Sequence, residues 1–340
     1  MIVDLKQVEE AAKELYIRAL KILPPDIKSG IAALSQRETD ATAKTILGTM
    51  IRNISVAEDT ANLLCQDTGI PIYNVVIGRN VNVDGYGLKQ AIRAGCERAT
   101  REHPLRSSVV HPVTRKNEHT SCGRGVPVIH IDFSGTDETL AIEMIPKGSG
   151  SENSSWLKMA IPAEGVDAIK TFVIDCVLES GGKSCPPTIV GVGVGGTADL
   201  CVHLAKQAAT RPLGSHCADP EGARLEQALS AAVNQLGVGP QGLGGDATAF
   251  AVHVETAATR ELGTHCADPD GARLEDQLSG AVNHLGVGPQ GLGGDSTAFA
   301  VHIELAATHI TMNPVAVNMQ CHSARRARAT FTPGGIEYGF

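Results

Sequence analysis

With 340 residues and 42% apolar side chains, the chain can bury either one large hydrophobic core or two of ordinary size. Its 29 basic and 37 acidic residues leave a formal net charge of −8, and only 11 Phe, Trp and Tyr are present, so neither a basic stripe nor a base-stacking surface is available for nucleic acid. No apolar run approaches the roughly 18 residues a bilayer crossing needs, and residues 1–23 alternate charged with apolar positions instead of forming a signal-peptide core, so a cytoplasmic protein with no membrane partner is expected. Nine cysteines without regular spacing do not make a secreted disulfide framework; as reduced thiols they suit metal binding.

The first 64 residues read as helical. Val3, Leu5, Val8, Ala12, Leu15 and Ile17 recur with the helical period, and Pro24 and Pro25 force a break before the next helix. Residues 70–83, with Ile72, Val75, Val76 and Ile77, predict a strand or hairpin, and 87–103 return to helix. Strands are expected at 126–133 and 139–145 across the turn residues Ser134, Gly135, Thr136 and Asp137. A helix over 166–180 stops at Gly181 and Gly182, and a strand over 188–194 leads into a helix reaching Thr210.

Next comes a tandem repeat. Residues 211–259 match 260–308 at 39 of 49 positions, with mild changes such as Ser215/Thr264, Glu221/Asp270 and Val254/Ile303. Each copy reads as loop, helix, glycine-rich loop and strand. Asp219 or Asp268 is the N-cap, Pro220 or Pro269 the first helical residue, Leu225, Leu229, Val233 and Leu236 or their counterparts the buried stripe, and Gly237 or Gly286 the stop. Two copies are too few for a solenoid, so a local duplication inside one domain spanning 1–340 is expected.

Three cysteines stand in polar or Gly/Pro-rich surroundings unlike those of a core thiol: Cys65 in CQDTG, Cys185 in GGKSCPP and Cys321 in NMQCHSARR. Two prolines after Cys185 fix the backbone into a rigid extended turn that can aim a thiolate at a metal. Gln66, Asp67 and Thr68 bring an amide, a carboxylate and a hydroxyl next to Cys65. Arg325 and Arg326 follow Cys321 and could balance the charge of a metal site, meet an anion, or simply lie in solvent. In PKGSGSEN (146–153), small residues beside Lys, Ser and Asn suit anion recognition through backbone N–H groups, and Arg115 in TRKN suits a carboxylate. GVGVGG (191–196) formally fits a dinucleotide-binding fingerprint, but its glycines fall inside a strand and the flanks form no βαβ series.

Taken in order, CQDTG, RKN, PKGSGSEN, SCPPTIVGVGVGG, LGVGPQGLGG with AVHIE, and PVAVNMQC resemble the N-terminal domain, or separate α subunit, of the iron-sulfur hydro-lyases that include class I fumarate hydratase and L(+)-tartrate dehydratase. The resemblance covers nearly the whole chain. It implies an α+β fold, a helical N-terminal region with mixed or antiparallel strands, and a 4Fe-4S cluster on Cys65, Cys185 and Cys321 with one iron open to substrate. It implies that Gln66, Asp67, Arg115, Gly148 and Ser149 line the substrate carboxylates, with Asp67 and His309 as catalytic candidates. In this chain the 115–127 loop is longer than the family's Asn-rich turn, which affects contacts from Arg115. Cys217 and Cys266, once per copy, are rival ligands, and Cys122 is incidental. Cys185 and Cys321 are 136 residues apart; removing one 49-residue copy restores a spacing near the family's. Only the second copy is followed by a histidine, His309, which leads to the expectation that the second copy runs on into the site and the first is the extra one.

The function implied by the resemblance is reversible hydration of fumarate to malate, since PKGSGSEN resembles the fumarate-type loop, with tartrate dehydration as the alternative. A non-catalytic cluster-binding paralogue, spoiled by the duplication, is the reading from another class. The family completes its site with a second domain not found before Phe340, so an α subunit that needs a β subunit to act on its dicarboxylic acid is expected.

Overall fold

The computed structural model describes residues 1–103, 105–161, 164–259, 269–287 and 313–340, with the short stretches 292, 294, 296–298, 302–304 and 307–309. The chain opens with helices α1 (Leu5–Lys21), α2 (Pro25–Arg37) and α3 (Ala41–Asp59). Asp4 and Asp40 cap the first and third by accepting from Lys6 N and Ala43 N, and Pro25 begins the second, where its missing N–H would have had no partner. Then come β1 (Ile70–Gly78), α4 (Gly85–Glu102), β2 (Val128–Ser134) and β3 (Leu140–Lys147). The rest of the chain forms α5 (Ser149–Asn153), β4 (Ser155–Ala160), α6 (Gly165–Ser180), β5 (Thr188–Val194), α7 (Ala198–Thr210), α8 (Pro220–Asn234), β6 (Ala249–Thr256), α9 (Pro269–Asn283), β7 (His302–Glu304), β8 (Ala307–His309), β9 (Asn313–Gln320), β10 (Ala327–Thr332) and β11 (Gly335–Gly339).

The fold is α+β, built on two mixed sheets. The first runs β11-β10-β3-β1-β2, antiparallel except for the parallel pair β1–β2. Helices α1 and α4 cover it, burying Val8, Leu15, Leu20, Leu88 and Ile92 against Tyr73, Val75, Ile142, Met144 and Phe331. The second runs β4-β9-β5-β6, with only β5–β6 parallel. Because side chains alternate along a strand, Val190 and Val192 of β5 and Val315 and Val317 of β9 face α6 and α8. The opposite face meets α7. There β5 presents Gly191 and Gly193, and a Cβ on either would lie 2.1 Å from a backbone oxygen of α7, Ala205 O or Cys201 O. The glycine run thus serves close helix–strand packing.

The duplication resolves the other way round from expectation. The first copy supplies β6 to the second sheet and buries Leu229 and Val233 of α8 completely. Arg211, at the end of α7, ties the copy in place by donating to Glu226 Oε1 at 2.8 Å and Glu255 Oε1 at 2.7 Å. The second copy keeps the local design. Asn283 Oδ1 accepts from Thr297 N and Ala298 N as Asn234 Oδ1 does from Thr248 N and Ala249 N. Yet Leu274 and Leu278 of α9 are 45% and 37% exposed, and among the described residues β7 pairs with β8. The edge beside β5 accepts one strand and its helix, and the copy joined directly to α7 takes it.

Candidate active site

The two sheets bring their loops together at one place. Ile70, the first residue of β1, pairs with Lys147, the last of β3, so the 65–69 and 147–149 segments leave the first sheet side by side. In the second sheet Ile189 of β5 pairs with Gln320 of β9, which puts the turn carrying Cys185 next to Cys321. His322 joins them: its backbone N–H and its Nδ1–H donate to Cys185 O at 3.2 and 3.0 Å. Cys185 adopts a left-handed backbone conformation, φ 56°, which is uncommon for a residue with a Cβ. The first copy buttresses it, since Gln241 N donates to Pro186 O at 2.9 Å and a Cβ on Gly182 would lie 2.6 Å from Gln241 O.

Burial pushes the Cys185 thiol up, and the neighbouring Cys321, Cys65 and Asp67 push it the same way. Three thiols and a carboxylate therefore share one neighbourhood. All three thiols are free, Cys65 exposed and the other two partly buried. Among the described residues no three His, Cys, Asp or Glu side chains are grouped to hold a single metal ion. Three free soft sulfur donors, with the charges of Cys321 and Cys65 reaching Cys185, are a donor set that suits an iron-sulfur cluster, and the residues present fit that group. The other described cysteines are core side chains: Cys96 and Cys122 in the first sheet's core, Cys176 and Cys201 around the second sheet, Cys217 under Gly222. Cys266 lies outside the described residues.

Asp67 organises the neighbouring turn. Its Oδ2 accepts from Ser149 N at 2.6 Å and Ser149 Oγ at 2.9 Å, and its Oδ1 from Gly69 N at 3.1 Å. Burial alone would raise this carboxyl, but the hydrogen bonds from Ser149 and Gly69 and the charge of Arg325 outweigh it and hold the group below the usual carboxylate range. The turn closes tightly, for a Cβ on Gly148 would sit 3.1 Å from Asp67 Oδ2 and 3.6 Å from Arg325 Nη2. Lys147, an anion-ligand candidate by its sequence neighbours, points inward. It is fully buried, donates to Met319 O and Gln320 Oε1, and burial pushes its ammonium down to about 7.

The remaining candidates divide. Gln66 is exposed beside Cys65. Arg115 sits on an exposed loop, and among the described residues its side chain makes no hydrogen bond or ion pair; the loop itself is tethered to the site where Thr68 Oγ1 donates to Arg106 O. His309 is placed as backbone, opposite His302 in the β7–β8 hairpin, and its side chain is outside the described part. For Arg325 and Arg326 the sequence leaves charge balance and solvent both open, and both side chains are interior: Arg326 Nη2 lies 2.7 Å from each Asp26 oxygen, and Arg325 is 2% exposed. Two adjacent arginines four and five residues after the candidate ligand Cys321 are the one signal that points to them.

Comparison with known proteins places this chain in a family. The family model for fumarate hydratase (Fumerase) matches residues 9–260 and again 255–330, the break falling in the duplication. A protein of Methanocaldococcus jannaschii described as "Putative L(+)-tartrate dehydratase subunit alpha" is 42% identical over 239 residues, 70% of this chain and 84% of the relative. The L(+)-tartrate dehydratase subunit alpha of Escherichia coli K12 is 32% identical over 221 residues, 65% of this chain and 73% of the relative.

Proposed function

The chain is a member of the fumarate hydratase (Fumerase) family, and on that premise we propose that it is the α subunit of a hydro-lyase acting on a small hydroxydicarboxylic acid, with a 4Fe-4S cluster on Cys65, Cys185 and Cys321. The observation that carries this reading is the convergence of three free thiols with the Asp67–Ser149 turn at the meeting of the two sheets. When bound, such a cluster supplies a Lewis acid for the leaving hydroxyl. The chain's own residues do the rest of what this half of the site contributes. Gly148, free of a side chain, lets Asp67 and Arg325 close on the turn, and Asp67, hydrogen-bonded and ionised, fixes the hydroxyl and N–H of the exposed Ser149, which borders the place for a substrate carboxylate. The exposed Gln66 offers an amide to the same acid. Asp67, held as the anion, and His309 are the acid–base candidates on this chain.

The names of the relatives favour L(+)-tartrate as the substrate; the PKGSGSEN loop favours fumarate as the second reading. The relatives' designation as alpha subunits supports a β subunit as partner. A non-catalytic paralogue is disfavoured because the first copy completes the second sheet and buttresses Cys185. The test is anaerobic co-purification with the β subunit, iron and acid-labile sulfide analysis, and turnover of both acids. About four of each per chain with turnover of either acid is expected. A complex that loads the cluster yet turns over neither would refute the hydro-lyase reading, and absence of iron and sulfide would refute the three-cysteine site.

A further inference from the structure

The cations around the cysteine loops differ in how their charge is met. Lys147 gives its protons to neutral oxygens, and Arg326 is paired with Asp26. Arg325 has neither arrangement. Its Nη2 reaches only Pro146 O at 3.5 Å, while Nε and Nη1, both buried, have no hydrogen-bond partner. A guanidinium keeps its proton, so a full charge stands in the interior without an ion pair among the described residues. Keeping it there works against stability unless an anion completes it. The group faces the turn that Asp67 holds, because Gly148 leaves just enough room for Arg325 Nη2 on one side and Asp67 Oδ2 on the other.

We propose that Arg325 is a positioning residue of the site: a fixed buried cation that holds Asp67 and the Gly148 turn in the geometry that receives a carboxylate, and whose charge is offset when a dicarboxylate binds. The proposal rests on the hydro-lyase reading only for the class of ligand. It predicts effects of opposite sign, which a purely structural arginine would not produce. Removing the charge relieves the ligand-free protein of a buried cation without an ion pair among the described residues, yet weakens its hold on a dicarboxylate.

The experiment uses the anaerobically reconstituted complex with its β subunit and succinate, a dicarboxylate with no hydroxyl to lose, as the probe in titration calorimetry. Arg325→Met and Arg325→Gln are expected to weaken succinate binding by about tenfold or more while leaving the iron and sulfide content and the succinate-free melting temperature equal to or above wild type. Arg325→Lys, which keeps the charge, is expected to stay within about threefold of wild type. Equal succinate affinity in a folded neutral variant overturns the proposal, as does absence of succinate binding by the wild type. Loss of fold or of iron in both neutral variants makes Arg325 structural and overturns it as well. A wild-type complex that binds succinate but turns over neither L(+)-tartrate nor fumarate defeats the hydro-lyase reading and leaves the Arg325 assignment standing.

Discussion

Leu229 and Leu278 occupy the same position in the two copies, and their substitution by alanine measures which copy holds the core. Leu229 is fully buried among Val190, Val192, Val233 and Val254, whereas Leu278 is 37% exposed on α9. Truncating a fully buried leucine removes its transfer free energy and leaves a cavity, at a cost of about 3 kcal/mol. For a chain of 340 residues the entropy of unfolding is about 0.7 kcal/mol per kelvin, so Leu229→Ala should lower the melting temperature by roughly 4 °C. Leu278→Ala gives up only part of a side chain's burial, about 1 kcal/mol at most, and should shift it by roughly 1 °C. Scanning calorimetry on the two variants and the double variant checks this. Equal or reversed shifts would refute the placement of the first copy. Two harmless single substitutions with a damaging double one would refute it in a more informative way, since either copy would then be able to fill the place beside β5.

Gly193→Ala should cost about 3 kcal/mol or more, because its methyl group would meet Cys201 O at 2.1 Å and the helix above cannot retreat without uncovering Ala205 and Ala316; an unchanged melting temperature would show that α7 does not lie this close to β5. His253 gives a pH dependence. It is buried with its Nδ1–H donating to Ala208 O at 3.1 Å, and burial, helped by the charge of Arg211 and opposed by Glu226, pushes it down to about 4. The unfolded chain takes up this proton near pH 6.5 and the folded chain only near pH 4, so the native state binds fewer protons in that window. Stability from this group is complete above about pH 6.5 and falls by up to about 3 kcal/mol as the pH drops to 4. Melting curves of wild type and His253→Gln between pH 4 and 7 should converge toward acid; parallel curves would show that the histidine is not held neutral.

Much of the site is legible in the sequence because its signals are local. A cysteine followed by two prolines, or by Gln-Asp-Thr-Gly, stands out from a core cysteine by its neighbours alone, and capping residues and apolar periodicity locate the opening helices, β1, β5 and the helix of each repeat. The alternation Val-Gly-Val-Gly can be recognised as a strand, but not that its glycine face exists to admit α7, since that depends on which helix arrives. The sequence leaves Arg325 open between solvent and an anion and makes Lys147 an anion-ligand candidate, and both are interior because strands distant in the chain close over them.

By itself the sequence determined the α+β class, the repeat and the family resemblance and singled out three cysteines as metal-ligand candidates, all properties of short segments and their order. The order of strands in the two sheets, the burial of Arg325 and the choice of the first copy for the core were decided only by tertiary structure. Two copies alike at 39 of 49 positions have nearly the same local preferences, so their different fates come from chain connectivity and from the single edge beside β5 that one of them can cover.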